Sequence, residues 1–473
     1  MLPKEIFRQY DIRGVVPKTF NQEIACNIAN AFGYQVKKKL KKDNPVVAVG
    51  RDVRLSSDDI FKGVLKGLND AGCNAIELGH CPTPVTYFSA FHLNTDAFLM
   101  ITGSHNPSDY NGMKLGIGKS TYHSELITSL YEDFSTYGYR VEKNKGNYTT
   151  YDIKKEYIKW TLEHFASLKE KLGKLNKNLT VVIDAGNGVA SDVAPEIFKS
   201  LGVNVIELFC EYDGNFPNHH PDPTVEENLT DAKNKVKETG ADFAVAYDGD
   251  ADRIGIVDNE QNVIWGDMLI LILAKAIAKT VARPTIIADV KASQVLFDEL
   301  KKDGINAIMW KTGHSLIKSK LKETNAELAG EMSGHIFFAD RYFGYDDAIY
   351  SSVRFLESYV DELLSGNITK VSDLLKNVPK VYNTPEIRFE CDESRKFEIV
   401  ENLAKKFEEY KKSNNFGVKD IITIDGIRVI FKNGWGLLRA SNTQPVLVMR
   451  FEATDLNSMN EYKELFEKEL NSL

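Results

Sequence analysis

The chain has 473 residues, a formal net charge of −8, 43% hydrophobic and 27% charged residues, which at roughly 150 residues per domain describes three or four soluble globular domains. The acidic balance excludes a general nucleic-acid or membrane-surface binder, so an anionic ligand needs a local positive cleft inside an acidic shell. Five cysteines without a CxxC pair indicate neither a disulfide framework nor a zinc site, and with no apolar run of about 18 residues and no signal-peptide core the expectation is a cytoplasmic protein with reduced thiols.

Near the N-terminus, Arg8, Tyr10 and Arg13 place two cations and a phenol close together. The run Lys37-Lys38-Lys39-Leu40-Lys41-Lys42 ends a helical stretch, where cations suit the helix dipole, and reads as solvated surface rather than a nucleic-acid patch. An apolar strand, Val46-Val47-Ala48-Val49, is followed by a helical segment and a second strand, Gly72-Cys73-Asn74-Ala75-Ile76-Glu77-Leu78. A third apolar run, Ala97-Phe98-Leu99-Met100-Ile101, stops abruptly in Thr102-Gly103-Ser104-His105-Asn106-Pro107. One hydroxyl, Ser104, then stands at a strand tip, as suits a nucleophile or phosphate carrier. A helix N-cap is the plain alternative for a serine beside a turn. An esterase elbow is excluded, because Asn106 stands where G-x-S-x-G needs its second glycine. Gly116-Ile117-Gly118-Lys119-Ser120 is a P-loop near miss, with Met113 where a Walker A motif needs glycine.

The strand–helix–strand pattern recurs in Val181-Val182-Ile183-Asp184 with Gly202-Val203-Asn204-Val205-Ile206-Glu207-Leu208, and again in Ile286-Ile287-Ala288-Asp289 with Gly304-Ile305-Asn306-Ala307-Ile308-Met309. Each copy reads as a βαβ unit with a right-handed crossover. A third element closes each copy, over residues 97–104, 241–252 and 326–335, and each ends in a polar, glycine-rich loop. If the copies are equivalent, these loops leave equivalent strand ends, where ligands gather in open α/β sheets. The expected organisation is three similar α/β domains over residues 1–149, 150–262 and 263–377, facing one cleft. Beyond them, residues 378–473 read as a smaller α+β domain with mostly antiparallel strands. There, residues 384–390 alternate as a strand, 393–412 form an amphipathic helix, and 421–431 form a hairpin around Asp425-Gly426, a type I′ signal.

The second loop is Asp248-Gly249-Asp250-Ala251-Asp252-Arg253. On an extended backbone its three carboxylates fall on one side, where mutual repulsion raises their pKa values unless a hard divalent cation such as Mg²⁺ is bound. An EF-hand is excluded because Arg253 and Asn259 stand where that loop needs glycine and glutamate. A solvated acidic turn is the plain alternative. The third loop, Gly330-Glu331-Met332-Ser333-Gly334-His335, offers a carboxylate able to accept two hydroxyl hydrogens, as a vicinal sugar diol requires; a turn with a satisfied histidine fits it equally well. In the last unit, Arg439-Ala440-Ser441-Asn442-Thr443 gathers a guanidinium fork, two hydroxyls and an amide, a density that suits a dianionic phosphate.

These four loops, in this order and over essentially the whole chain, resemble the active-site loops of the α-D-phosphohexomutases. Residues 10–14, 214–221 and Lys311-Thr312-Gly313-His314-Ser315 match that family too, and Gly-Glu-Met-Ser-Gly-His resembles its bacterial phosphomannomutase/phosphoglucomutase branch. The resemblance implies three α/β domains with mixed sheets and a mobile fourth domain around a central cleft. It implies that Ser104 is a phosphoserine, that Ser104, Asp248, Asp250 and Asp252 hold Mg²⁺, and that Arg253 sits beside them. Glu331 and Ser333 then read the sugar O3 and O4, with His335 nearby. Arg439, Ser441, Asn442 and Thr443 grip the phosphate that is not reacting. Tyr10, Arg13, His105, Lys114, Lys291 and His314 fill cleft positions for phosphate contact or proton handling, with Lys114 and His314 as the proton-handling candidates. The implied reaction transfers a phosphoryl group between C1 and C6 of mannose or glucose phosphates through a hexose 1,6-bisphosphate, which also serves as activator, in a monomer with a small phosphosugar as partner. Alternatives are a phosphoglucosamine mutase and, in another class, a Mg²⁺-dependent sugar phosphatase. Ala251 departs from the glycine common at its position, and no loss of metal is expected from one methyl group.

Overall fold

A computed structural model describes residues 2–392, 394–441 and 445–472, which form four β-sheets. The first sheet holds β1 (Ile12–Val15), β2 (Val46–Arg51), β3 (Asn74–His80), β4 (Ala97–Ile101), β5 (Tyr110–Ile117), β6 (Ser120–Thr121) and β7 (Tyr148–Thr150). Their order is β1-β5-β4-β2-β3-β7, with β6 on β5. The second sheet, of β8 (Thr180–Asp184), β9 (Asn204–Leu208), β10 (Phe243–Tyr247), β11 (Ile254–Asp258) and β12 (Val263–Ile264), runs β12-β11-β10-β8-β9. The third, of β13 (Thr285–Asp289), β14 (Asn306–Trp310), β15 (Leu328–Gly330) and β16 (Ile336–Phe338), runs β14-β13-β15-β16.

One rule generates all three. The first strand of each repeat pairs in parallel with the second on one side and the third on the other: β2 with β3 and β4, β8 with β9 and β10, β13 with β14 and β15. The chain then doubles back and lays an antiparallel strand against the third: β5 on β4, β11 on β10, β16 on β15. Residues of β4, β10 and β15 are buried throughout, which is why they read as unbroken apolar runs. The three polar loops are thus hairpin connections leaving the carboxyl end of a buried parallel strand.

The fourth sheet is antiparallel: β17 (Tyr382–Asn383), β18 (Ile387–Glu390), β19 (Asp420–Ile422), β20 (Ile427–Ile430), β21 (Gly434–Ala440) and β22 (Val446–Ala453) run β17-β22-β21-β20-β19, with β18 also on β22. The strand expected over 384–390 begins later, as β18 at Ile387, and a separate two-residue strand, β17, precedes the expected range. Pro385 has no N–H for the ladder, so pairing lapses between β17 and β18. The expected helix begins later, at Lys396, and runs Lys396–Lys412. The β19–β20 connection is also not a type I′ turn. Four residues separate the strands, and of Asp425 and Gly426 only the glycine has positive φ, at 79°, whereas type I′ needs two such residues.

A continuous apolar core runs through the first three units, taking in Phe88 and Phe98, Val181 and Phe243, and Ile286, Phe338 and Tyr350. The fourth unit has its own core of Leu403, Phe407, Val429, Leu438, Phe451 and Phe466. Phe88, on the helix Thr83–His92, lies at a junction: its ring centroid is 5.4 Å from Tyr157, 5.8 Å from Trp160 and 6.2 Å from Phe343. No helix among the described residues is long and apolar enough to cross a membrane. Phe88→Ala is expected to cost about 3–5 kcal/mol through lost burial and the cavity left behind, read as a lower midpoint in thermal or urea unfolding.

Candidate active site

Ser104 sits in the loop that joins β4 to β5, with φ of +49° and only 3% exposure. Its N–H donates to Thr102 Oγ1 at 2.7 Å, and its Oγ donates to Asp248 Oδ2 at 3.0 Å. His105 Nδ1 is 3.2 Å from the same Oγ. Burial, followed by the cations Arg253 and Arg13, pushes His105 well below the usual imidazole range, so its ring is neutral. Ser104 is not a helix cap: the loop it occupies leads into a strand. The first and second loops meet backbone to backbone, since a Cβ on Gly249 would lie 2.6 Å from the Ser104 carbonyl oxygen.

The second loop carries its aspartates on a tight turn rather than the expected extended segment. Ala251 N–H donates to the Asp248 carbonyl at 3.0 Å, and Ala251 has φ of +61°. A methyl-bearing residue in that conformation costs roughly 1–2 kcal/mol, which explains a preference for glycine there without touching the ligands. Asp248, Asp250 and Asp252 are fully buried. Asp248 Oδ1 accepts from the N–H groups of Asp252 and Arg253, both at 3.0 Å. Asp250 Oδ2 accepts from Thr83 Oγ1 at 2.6 Å and from Lys114 Nζ at 2.7 Å, and Lys114 also donates to Asp252 Oδ2.

These contacts set the charges. Burial, then repulsion from Asp250 and Asp252, holds the Asp248 carboxyl well above its usual range. Burial also opposes ionisation of Asp250, yet the Lys114 ammonium holds that carboxyl below its usual range. Burial likewise disfavours the Lys114 ammonium, but Asp250 and Asp252 keep it protonated well above the ordinary lysine range. Asp250 Oδ1 and Asp252 Oδ1 remain buried without a hydrogen-bond partner. One oxygen from each of Asp248, Asp250 and Asp252 lies within 4.8 Å of the others. Two unpartnered buried carboxylate oxygens beside a third carboxylate and a hydroxyl are an all-oxygen donor set, and it fits a hard divalent cation.

The third loop closes over the second. Arg253 Nε donates to His335 Nε2 at 3.1 Å, which makes Nδ1 the protonated nitrogen of His335. That Nδ1 lies 3.2 Å from the Asp252 carbonyl oxygen and 3.4 Å from Asp346 Oδ2. The His314 ring stacks on His335 with centroids 5.6 Å apart, and Tyr10 meets His314 edge-on at 5.6 Å. Burial, then Lys318, pushes His314 well below the usual imidazole range. Glu331 is buried, and its Oε1 accepts from the Gly313 N–H at 2.7 Å. Ser333 is half-buried beside it. Arg13 lies on β1 and pairs with Asp11 at 2.5 Å.

The fourth unit meets the third through polar contacts and a small apolar cluster of Val290, Trp435 and Leu437. Lys291 Nζ donates to Glu386 Oε1 at 2.7 Å; burial opposes its charge, but Glu386 and Asp289 hold its pKa above the ordinary lysine value. Arg439 Nε donates to Asp425 Oδ2 at 3.0 Å, and the same oxygen accepts from Thr312 N–H at 3.1 Å. Ser441, two residues beyond Arg439, is buried, and its carbonyl accepts from Lys396 Nζ at 2.6 Å. Asn442 and Thr443 lie outside the described residues.

Sequence reasoning had no hold on several of these partners. Thr83 reaches Asp250 across 167 residues of chain. Asp346 is fully buried, takes Lys318 Nζ at 3.0 Å, and turns its other oxygen toward His314 and His335, each 3.4 Å away. Asp425 and Glu386 pair with two of the named cations but read as turn and strand residues. The adjacent acids Asp346-Asp347, between an aromatic loop and a helix, were the only local signal for any of them.

Four family models match the chain. They are described as phosphoglucomutase/phosphomannomutase alpha/beta/alpha domain I over residues 4–139, domain II over 155–261, domain III over 265–382, and the C-terminal domain over 386–469. A phosphomannomutase/phosphoglucomutase of Pseudomonas syringae pv. tomato is 44% identical over 470 residues, 99% of this chain and 96% of that protein. A phosphoglucomutase of Neisseria gonorrhoeae is 41% identical over 453 residues, 96% of this chain and 94% of that protein. A solved structure of a phosphoglucomutase/phosphomannomutase family protein from Burkholderia thailandensis superposes with a TM-score of 0.87 at 37% identity, over 100% of this chain and 98% of that one.

The donor set yields a direct test. A hard divalent cation added at about a hundred times its Kd is expected to stabilise the wild-type chain by ~2.7 kcal/mol, read as a rise in thermal midpoint that a chelator reverses. Asp250→Asn is expected to lose most of that rise. An equal rise in the variant would place the cation elsewhere.

Proposed function

The chain belongs to the phosphoglucomutase/phosphomannomutase family, and from that premise we propose that Ser104 is the residue through which a phosphoryl group moves between C1 and C6 of a hexose. The protein is a phosphohexomutase, an isomerase acting on hexose phosphates. One observation carries the assignment to Ser104: its hydroxyl donates to Asp248 at 3.0 Å, beside two buried carboxylate oxygens that have no partner. In this reading units 1–149, 150–262, 263–377 and 378–473 contribute the phosphoserine, the metal ligands, the sugar reader and the phosphate clamp. All of these groups come from one chain, which supports a monomer as the working unit.

Phospho-Ser104 gives its phosphoryl group to the free hydroxyl of a bound hexose 1- or 6-phosphate. The bond from phosphorus to Oγ breaks, a bond to the sugar oxygen forms, and the hydroxyl proton must leave. The product is a hexose 1,6-bisphosphate. It turns within the cleft and returns its other phosphoryl group to Ser104, and the same bisphosphate added from solution activates a dephosphorylated enzyme. Asp248, Asp250 and Asp252, with Ser104 beside them, would hold Mg²⁺, which when bound would supply positive charge near the transferring group. Arg253 adds a guanidinium whose direction is set by its bond to His335.

Lys114 and His314 are the groups that take and return the hydroxyl proton. The two roles exchange between half-reactions. Glu331 spends one oxygen on Gly313 N–H and keeps the other for a sugar hydroxyl, with Ser333 and His335 on the same loop. A sugar held through O3 and O4 presents O1 or O6 after rotation, because that diol lies opposite the exchange axis. Arg439, Ser441, Asn442 and Thr443 take the distal phosphate, whichever it is. Tyr10, Arg13, His105 and Lys291 line the path between.

Contacts at O3 and O4 leave C2 unread, so mannose and glucose epimers both fit. Comparable turnover of mannose 1-phosphate and glucose 1-phosphate is expected in coupled assays; a preference above about 10⁴, the scale of a buried polar readout, would exclude this mode of reading. Ser104→Ala is expected to abolish both the phosphoenzyme and nearly all turnover. Release of inorganic phosphate in place of the isomeric sugar phosphate would mark a phosphatase.

A further inference from the structure

Arg54 lies beyond the end of β2, just before the helix Ser57–Asp70. Its side chain is fully buried, and the five N–H donors of its guanidinium meet five acceptors. Nε donates to Asp52 Oδ2 at 3.2 Å. Nη1 donates to the carbonyl of Tyr110 at 3.0 Å and to that of Pro107. Nη2 donates to the carbonyl of Ser104 at 2.8 Å and to that of Asn106 at 2.6 Å. Asp52 completes the frame: it accepts from the N–H of Gly103 at 3.1 Å, from the N–H of Arg54 at 3.1 Å and from Ser57 Oγ at 2.5 Å.

The loop around Ser104 therefore turns four carbonyl oxygens inward onto one cation. Its other side is closed by the second unit. The Phe216 ring centroid lies 5.2 Å from the Arg54 guanidinium carbon, and a Cβ on Gly214 would come within 2.4 Å of the Val53 carbonyl oxygen. Ser104 itself is in a left-handed conformation that side-chain-bearing residues adopt only when the surroundings over-determine it. The bond from Nη2 to the Ser104 carbonyl is the contact that holds that peptide unit from behind.

We propose that Arg54 is the positioning residue of the reaction: it fixes the backbone of Ser104 and so aims Oγ at Asp248. It acts through Ser104 and makes no contact with the sugar. A lysine keeps the charge but offers three donors from one atom, so it cannot reach carbonyls on both sides of the loop at once. The inference rests on Ser104 being the phosphoryl carrier.

The test is steady-state and single-turnover kinetics of Arg54→Lys alongside the intact mass of Ser104-containing peptide. Misplacing the transferring group by about an ångström is expected to lower kcat by about a hundredfold, with KM for glucose 1-phosphate near the wild-type value and phosphate still present on Ser104. Guanidinium chloride, added below its denaturing range, is expected to restore part of the kcat of Arg54→Ala, which a loss of stability alone would not permit. An Arg54→Lys enzyme with a lower thermal midpoint but wild-type kcat overturns the proposal. If Arg54→Lys does not fold, Asp52→Asn reads the same frame from its other side, and an unchanged kcat there overturns it equally. Wild-type enzyme that turns over without ever carrying phosphate on Ser104 overturns instead the carrier assignment beneath it.

Discussion

The structure depends on four buried titratable groups held in one place. Asp248, Asp250 and Asp252 are fully buried, and so, nearly, is the Lys114 ammonium that bridges the last two. A buried ion pair is at best a weak source of stability, because the desolvation of each ion offsets most of the attraction. Here the cluster joins a strand of the first unit to a hairpin loop of the second, so its cost falls on the junction between two distinct sheets. The apolar core shared by the first three units supplies the opposing term. The reward is electrostatic: in the proposed reaction, charges in a dry site act on a transferring phosphoryl group without first reorganising water.

The same topological device is used three times for three chemically distinct loops. A buried parallel strand delivers the chain to one edge of the sheet, and an antiparallel strand takes it back. What differs is only the connection: a hydroxyl in the first, carboxylates in the second, a carboxylate, a hydroxyl and an imidazole in the third. The fourth unit departs from this plan in its antiparallel sheet and in how it is attached. Lys291 with Glu386, and Thr312 with Asp425, are polar contacts beside a small apolar cluster of Val290, Trp435 and Leu437, whereas the first three units share a continuous and far larger apolar interior. A junction with so small a share of apolar surface parts more readily than a large apolar one.

Much of this was readable from the residues alone. The third strands of each repeat were plain because both of their faces are covered, and the Asp248, Asp250, Asp252 triplet was plain because its acids are close in sequence. The return strands were hidden. β5 contains Asn111 and Lys114, both buried, so it shows neither an apolar run nor clean alternation. Arg54, Thr83 and Asp346 were hidden for another reason: their partners lie far away along the chain, and a single arginine or threonine has no pattern. Two local readings failed for lack of tertiary information. The Asp248–Arg253 loop turns where an extended backbone was expected, and Asp425 serves Arg439 rather than a two-residue hairpin.

The left-handed backbone of Ser104 has a chemical corollary. Threonine carries the same hydroxyl and is as able to hold a phosphate ester. Its branched Cβ, however, makes φ near +49° a true outlier. The choice between the two alcohols is therefore made by the peptide chain before any substrate arrives, and serine at the proposed carrier position records a steric rule as much as a reactive one.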